Sequence, residues 1–349
     1  MSPKAAEVTA SKRAELTPQM LQYAEKFDDR GDIRWLPYLM YFHAIDHRSE
    51  VVNTDRLGFR LCHGPSGAAS LGGPLPEGPV RLLAGSSTVF GIGATNDAAT
   101  LPSRLWTRHA PSLPWLNFGA RSHNSAQELL LFVLYRHLLP PVEEIVLFSG
   151  FNNLGLARLP RSLQGDHGAF FNCIEFFEQM EKLRASHRKP NSVFLRPRAR
   201  AQAPELEDTE VLELEEQIST AAELTIRHLA IWNVISQSMG ARLTYVLQPL
   251  ATWVRKELPV QERQLFEELD TISNFGQVYG DIAAMDSGRR YSQALEKGCR
   301  DLGVRYLDMS PVIAAAVKPD HWLFVDRIHF TDDGYDFVAG LLADSLELS

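Results

Sequence analysis

The 349-residue chain is poor in cysteine, and its three cysteines lie far apart, at Cys62, Cys173 and Cys299. None of them forms a Cys-x-x-Cys pair, and their odd number leaves at least one thiol without a partner in the chain. Disulfides are rare in the reducing cytosol. The pattern argues for reduced thiols in a cytoplasmic protein rather than for a disulfide framework.

Long apolar runs and an excess of basic residues are also missing. No stretch approaches the roughly 18–20 continuous apolar residues of a membrane-spanning helix, and the N-terminus (Met-Ser-Pro-Lys-Ala-Ala-Glu-Val-Thr) has no apolar segment of signal-peptide length. Lys and Arg number 35 against 43 Asp and Glu, a net charge of −8. The missing apolar runs lead us to expect no membrane span. Because nucleic-acid binding favours basic surfaces, we also expect no nucleic-acid partner.

The composition, 45% hydrophobic and 22% charged, is that of a globular protein long enough for a full core. We expect one large domain at residues 80–349, preceded by an extension at 1–79 that contains a helix and a small β flap. A basic run followed by an acidic run marks an insertion at about 158–215. We expect that insertion to be helical in part, solvated and partly disordered, with a lid or a partner-docking segment as the alternative.

Short apolar runs alternate with helix-like segments along the large domain. The predicted strands are 80–84, 114–118, 144–148, 242–247 and 304–308. The clearest predicted helices are 98–109, 124–139 and 210–239, and Asn124 is the expected cap of the second. Such alternation predicts an α/β protein with a parallel sheet and helices on both faces. In the extension, residues 51–60 have the pattern of a strand, a turn and a second strand.

Near the C-terminus, Asp326 and His329 stand three residues apart, ahead of a helical apolar run at 337–346. A carboxylate can fix the tautomer of an imidazole and stabilise its cationic form, which a general base acting on a serine requires. The same pair could bind a metal ion, but no third ligand has a convincing spacing, so no metal site is predicted. The pair needs a nucleophile from elsewhere in the chain.

A candidate nucleophile lies in the small-residue turn at 85–88 (Gly-Ser-Ser-Thr), between a predicted strand and a predicted helix. Parallel sheets present reactive groups at this end of their strands. The turn is not the Gly-x-Ser-x-Gly elbow, because Val89 occupies the second glycine position, and no Gly-Lys follows to make it a phosphate loop. Ser86 and Ser87 both remain candidates, and a plain Gly/Ser turn is the alternative.

Four segments resemble, in order, the sequence blocks of the SGNH (GDSL-type) hydrolases. Residues 85–88 resemble the first block, in a variant that replaces the aspartate of Gly-Asp-Ser. Residues 117–127 resemble the second block, 148–153 the third and 326–329 the last. The resemblance covers about residues 80–157 and 241–346. It implies a flavodoxin-like three-layer α/β/α fold with a central parallel five-stranded sheet.

The resemblance also implies the roles of three residues in the reaction. Ser87 would be the nucleophile, preferred over Ser86 because the following Phe-Gly matches the family's usual Phe-Gly. His329 would accept the proton of Ser87 and later deliver it to the leaving group. Asp326 would orient His329.

The oxyanion of the intermediate would be held by the backbone N–H groups of Ser87 and Gly119 and by the side-chain amide of Asn152. His123 and Asn153 are weaker candidates for substrate binding, since they lie within the second and third blocks. Asn153 departs from the family pattern, which usually has aspartate at its position.

The resemblance thus implies an esterase that cleaves an O-acyl or O-acetyl group, or a thioester, of a small metabolite or sugar through an acyl-enzyme, without a cofactor. One alternative is an acyltransferase with the same triad, favoured if residues 1–79 or 158–215 form a lid that excludes water. Another is a non-catalytic binding protein on the same fold. The sequence leaves the oligomeric state open, a homodimer included.

Overall fold

The computed structural model of the chain describes residues 11–26, 33–186, 211–272 and 275–349. Most of the basic run and part of the acidic run of the predicted insertion lie outside these residues. The described strands are β1 (Arg34–Leu36), β2 (Met40–Phe42), β3 (Cys62–Gly64), β4 (Gly67–Ala69), β5 (Val80–Gly85), β6 (Trp115–Gly119), β7 (Val142–Ser149), β8 (Arg242–Leu247) and β9 (Arg305–Asp308).

The described α-helices are α1 (Lys12–Leu16), α2 (Gln19–Lys26), α3 (Ser87–Phe90), α4 (Leu101–Arg104), α5 (Ser125–Tyr135), α6 (Phe151–Leu156), α7 (Cys173–Ser186), α8 (Leu214–Met239), α9 (Ala251–Val254), α10 (Val260–Ile272), α11 (Phe275–Tyr279), α12 (Met285–Leu302), α13 (Met309–Ala316) and α14 (Asp332–Leu346). Short 3-10 turns occupy Asp97–Ala99, Arg136–Leu138 and Arg161–Leu163, and a π-helical turn occupies Leu105–His109. None of the described helices is both long and apolar enough to cross a membrane.

The central sheet has five parallel strands in the order β6-β5-β7-β8-β9. Every residue of β5 and β6 is buried, as expected of parallel strands that are covered on both faces. The predicted fold class, a three-layer α/β protein with a parallel five-stranded sheet, is confirmed. The strand order reverses at β5, which creates a crevice at the carboxyl ends of β5, β6 and β7.

The helices pack in two groups, as right-handed crossovers on either side of a switch point require. One group contains α5, α8 and α12, and in it Phe132 of α5 stacks on Trp232 of α8 with ring centroids 4.4 Å apart. The other contains α4, the π-helical turn and α14. Asn124 caps α5 as predicted, because its side chain accepts the Gln127 N–H while the Gln127 side chain accepts the Asn124 N–H.

The extension differs from its prediction at residues 51–60. Only an isolated bridge between Thr54 and Arg60 is present there, in place of two strands. The carboxylate of Asp55 explains the difference, since its Oδ1 accepts the backbone N–H groups of the next turn, from Leu57 at 2.8 Å to Phe59 at 3.0 Å. An Asp that binds its own following backbone competes with strand pairing.

The predicted helix at residues 98–109 is also divided. It consists of a 3-10 turn, α4 and the π-helical turn in succession. Pro102 lies in the first turn of α4, where its missing N–H costs no helical hydrogen bond.

Helix α2 packs directly on the segment that follows β5. Tyr23 and Met20 are buried in a small apolar cluster whose other members are Val51, Val52, Phe90, Ile92 and Val325. The extension therefore adjoins both the turn after β5 and the segment that contains Asp326 and His329.

Candidate active site

Ser87 is the first residue of α3, immediately beyond the carboxyl end of β5. Gly85 makes the turn possible: its φ is +156°, and a Cβ there would lie 2.2 Å from the carbonyl oxygen of Phe148 on the neighbouring strand β7. Any side chain at this position would push the two strands apart. Ser87 retains 9% of its surface exposed, so its hydroxyl lies at the floor of a cleft.

The structure brings together the three residues predicted to cooperate in catalysis, although Ser87 and His329 are 242 positions apart. The distance between Ser87 Oγ and His329 Nε2 is 2.8 Å, and that between His329 Nδ1 and Asp326 Oδ2 is also 2.8 Å. Hydroxyl, imidazole and carboxylate thus form one continuous hydrogen-bonded line. In this geometry Asp326 can hold the proton of His329 on Nδ1 and leave Nε2 free to accept from Ser87.

Asp326 is itself fixed by the loop that leads into α14. Its Oδ1 accepts the backbone N–H groups of Ile328 at 2.8 Å and His329 at 2.7 Å. Burial alone would raise the pKa of Asp326, but the charge of His329 and these hydrogen bonds outweigh it, so the pKa is lowered. Asp326 is therefore ionised at neutral pH, as the orienting partner of an imidazole should be.

The hydroxyl groups of Ser86 and Ser87 have different surroundings. The Ser86 hydroxyl is 1% exposed and donates to Gln248 Oε1 at 3.1 Å. It is thus directed toward the end of β8, whereas the Ser87 hydroxyl contacts His329. The geometry favours Ser87 as the nucleophile, the same choice that the Phe-Gly match favours.

Asn152, in the first turn of α6, lines the same cleft as Ser87 and His329. One N–H of its amide donates to the backbone oxygen of His123 at 2.7 Å. A carboxamide has two N–H donors. The bond to His123 fixes the plane of the amide and leaves the second donor for a group in the cleft.

Gly119 requires a correction. Its backbone N–H, predicted as an oxyanion donor, instead donates to the side-chain oxygen of Asn117 at 2.8 Å. Among the described residues, the wall of the cleft near β6 is formed by Arg121 and Ser122. A Cβ at Gly119 would lie 2.0 Å from the nitrogen of Phe90. Glycine is thus needed there because α3 packs against β6, and its N–H is not directed into the cleft.

His123 and Asn153, the weaker candidates for substrate binding, are also placed differently from the prediction. His123 is fully buried, its Nε2 lies 3.0 Å from the Tyr41 carbonyl oxygen, and burial lowers its pKa to about 4. Asn153 binds Ser125 through both ends of its amide and donates to Thr225 Oγ1 at 2.7 Å. Both residues brace the elements behind the cleft and do not line it.

The cleft has a volume of about 230 Å³. Besides the predicted residues it is lined by side chains from the extension and from the apolar surroundings, namely Arg13, Met20, Tyr23, Ala24, Ile92, Arg121, Ser122, Phe151, Phe171, Tyr279 and Ile328. Arg121 and Ser122 fall within the second block, and Ser122 has a left-handed backbone with φ of +57°. No local pattern marks Met20 or Tyr23, which reach the cleft only through the packing of α2.

A larger groove of about 910 Å³ lies on the other side of the extension, beside Trp322 and Phe337. It contains neither Ser87 nor His329. Within the part of the chain that the structure describes, no group of three or more His, Cys, Asp or Glu side chains is arranged to hold a metal ion.

No protein-family model and no curated protein sequence matches the chain. Similar solved structures include an acetyl xylan esterase, at 12% identity over 76% of this chain and 98% of that one (TM-score 0.40). A putative acylhydrolase from Bacteroides fragilis is 13% identical over 78% of this chain and 88% of its own, with a TM-score of 0.39. A putative GDSL-like lipase from Parabacteroides merdae is 8% identical over 79% of this chain and 99% of its own, with a TM-score of 0.41.

Proposed function

We propose that the chain is a serine hydrolase of the SGNH type that cleaves an ester through an acyl-enzyme. The observation that carries the proposal is the unbroken line from Asp326 through His329 to Ser87, with both contacts at 2.8 Å. A buried serine that served only packing would not need an imidazole oriented by an ionised carboxylate. Nucleophile, base and orienting group are the three parts of a serine hydrolase site.

In the first step Ser87 Oγ bonds to the carbonyl carbon of the ester while its proton moves to His329 Nε2. The tetrahedral intermediate then collapses, the C–O bond of the ester breaks, and the alcohol departs with the proton from His329. In the second step water takes the place of the alcohol. His329 removes a proton from the water, and the acid is released as Ser87 regains its proton.

The oxyanion is held, in this proposal, by the backbone N–H of Ser87 and the second amide N–H of Asn152. Ser87 begins a helix, and the first N–H groups of a helix have no acceptor within it. Asn152 is already oriented by His123. Gly119 is left out because Asn117 occupies its N–H. The loss of one such donor costs on the order of 10²–10³ in turnover.

The walls of the cleft favour a compact acyl group on a small molecule. Ile92, Phe151, Phe171 and Tyr279 supply apolar and aromatic surface beside Ser87. A volume of about 230 Å³ is below the usual range of pockets for drug-sized ligands. An O-acetyl or similarly short O-acyl group on a small metabolite or a sugar fits these dimensions, and the reaction needs no cofactor.

Labelling with a fluorophosphonate, followed by peptide mass spectrometry, tests the proposal. We expect a single adduct on Ser87 in the wild type and in Ser86→Ala, and none in Ser87→Ala or His329→Ala. Ser86→Ala is the matched control, because it removes a neighbouring buried hydroxyl that does not contact His329. An adduct on Ser86 would refute the assignment. A wild type that forms no adduct and leaves short-chain 4-nitrophenyl esters intact would favour the binding protein.

Product analysis with an added acceptor alcohol separates hydrolysis from acyl transfer. We expect the free acid as the main product, because no acceptor is required when water deacylates the enzyme. Transfer of the acyl group to the alcohol in preference to water would favour the acyltransferase.

A further inference from the structure

The backbone directly after Ser87 is held by side chains from distant parts of the chain. Six consecutive carbonyl groups, from Val89 to Ala94, each lie within hydrogen-bonding distance of a side-chain donor. The pairs are Val89 with Asn117 (3.0 Å), Phe90 with Arg60 (3.1 Å), Gly91 with Arg60 and Tyr23 (both 2.9 Å), Ile92 with Tyr335 (2.7 Å), Gly93 with Gln19 (2.7 Å) and Ala94 with Tyr23 (2.8 Å). We call this set of contacts the carbonyl clamp.

The local backbone explains why such a clamp is needed. Helix α3 has four residues, too few to be stable alone. Gly91 and Gly93 follow with φ of +97° and +99°, so the chain leaves the helix at once. The last carbonyl groups of a helix have no partner within it. The segment is buried, with Ala94 at 0% exposure, and a buried carbonyl without a donor is costly.

Three of the five donor residues of the clamp belong to the extension: Gln19, Tyr23 and Arg60. The Tyr23 hydroxyl lies between Gly91 O and Ala94 O, to one of which it can donate at a time, and it accepts a bond from Arg60 Nη1 at 2.9 Å. Tyr23 therefore links the guanidinium group to the turn after α3.

Arg60 is fully buried, and its guanidinium has a partner on each nitrogen. Nε donates to Asp97 at 2.7 Å, and Nη2 donates to the Val51 carbonyl at 2.6 Å. Nη1 is directed at the clamp, toward Phe90 O and Gly91 O. The planar fork of an arginine can satisfy several acceptors in fixed directions, which a lysine cannot do.

We infer that Gln19, Tyr23 and Arg60 are positioning residues for Ser87, and that the extension is a structural part of the active site. The inference rests on the proposed role of Ser87 as nucleophile. Ser87 and the clamped carbonyl groups share one short stretch of backbone, and Ser87 Oγ must remain 2.8 Å from His329 Nε2. Displacement of a reacting group by about 1 Å can cost on the order of 100-fold in rate.

The test compares Tyr23→Phe with Tyr306→Phe at a temperature where both proteins are fully folded. Each change removes one tyrosine hydroxyl, and Tyr306 forms its hydrogen bond with Ser292 at 2.9 Å, on β9 at the opposite edge of the sheet from β6. Gln19→Ala is a second variant with a part-buried side chain, for use if Tyr23→Phe does not fold. Hydrogen–deuterium exchange of peptides covering 86–94 is measured first, and kcat, KM and the rate of fluorophosphonate labelling follow.

For Tyr23→Phe and Gln19→Ala we expect faster exchange within 86–94, by roughly fivefold for the loss of one hydrogen bond. We expect kcat and the labelling rate to fall about tenfold. KM should change little, because Tyr23→Phe keeps the aromatic ring that lines the cleft and Gln19 is not part of its lining. Tyr306→Phe should match the wild type in all these measurements. Unchanged exchange in 86–94, or an equal loss of kcat in Tyr306→Phe, would overturn the inference.

The exchange experiment tests whether the carbonyl clamp holds residues 86–94 even if the proposed function is wrong. A wild type that never reacts at Ser87 would refute the hydrolase. Faster exchange confined to 86–94 would still establish that the extension holds this segment. If kcat fell without any change in exchange, the clamp would be refuted while the hydrolase stood.

Discussion

Both carboxylate oxygens of Asp326 accept hydrogen bonds, and an asparagine at this position would keep only one oxygen acceptor. Oδ1 accepts the backbone N–H groups of Ile328 and His329, and Oδ2 faces His329 Nδ1 at 2.8 Å. An asparagine that keeps its oxygen on the two backbone groups turns its NH₂ toward Nδ1. Nδ1 must then accept, so the ring proton moves to Nε2, where His329 can no longer accept the proton of Ser87.

The opposite orientation of the amide would place its NH₂ against two backbone N–H groups. It would lose two hydrogen bonds, worth about 1 kcal/mol each, and bring donors face to face. The first orientation therefore dominates, and His329 is held in the wrong tautomer. A carboxylate-to-amide change of this kind in another serine hydrolase lowers kcat about 10⁴-fold while the geometry is preserved. We expect a loss of that order for Asp326→Asn.

Steady-state kinetics on a short-chain 4-nitrophenyl ester measure the loss, and ¹⁵N chemical shifts of His329 report its tautomer. Asp333→Asn is the matched control, since the Asp333 side chain lies four residues beyond His329 and is 86% exposed. It should keep the wild-type kcat. The orienting role of Asp326 is refuted if Asp326→Asn retains more than about a tenth of the wild-type kcat, or if His329 keeps its proton on Nδ1 in that variant.

Two further changes test the surroundings of the site. Burial raises the pKa of Glu128 to about 8 from 4.5, against the opposing hydrogen bond from Ser149. Between these values the folded protein keeps a proton that the unfolded chain has lost, so the unfolding free energy should fall by up to about 1.4 kcal/mol per pH unit as pH rises. Glu128→Gln should flatten this slope in urea denaturation at several pH values, and an unchanged slope would contradict the assignment. Gly119→Ala should lower the stability by about 1–3 kcal/mol and slow labelling of the nucleophile, because its Cβ would lie 2.0 Å from Phe90 N and 2.5 Å from Val89 C. A variant with the wild-type melting temperature would show that α3 can move away from β6.

Most of the sheet could be predicted from the sequence because β5, β6, β7 and β8 are largely buried and read as short, mainly apolar runs, whereas β9 is only half-buried. Residues 242–247 were predicted to form a strand with the same bounds as β8. Residues 51–60 were predicted wrongly, since the pattern does not show that the Asp55 carboxylate binds the backbone of the next turn. His123 and Asn153 lie within the right motifs, but whether a side chain lines a cleft or braces the elements behind it depends on packing between distant segments.

The carbonyl clamp also bears on whether the extension acts as a lid. Tyr23 is 68 residues from Gly91, and Tyr335 is 243 residues from Ile92, so no local pattern predicts these contacts. If α2 swung away, the donors of Gln19 and Tyr23 would leave their carbonyl groups, and the Tyr23 ring, 2% exposed, would enter water. Each buried polar group left without a partner costs about 1–3 kcal/mol, and burial of a large apolar side chain is worth about as much. Opening by this route costs several kcal/mol in each catalytic cycle and releases the segment that holds Ser87. We therefore expect α2 to remain in place as a fixed wall of the cleft, with substrate entering from another side.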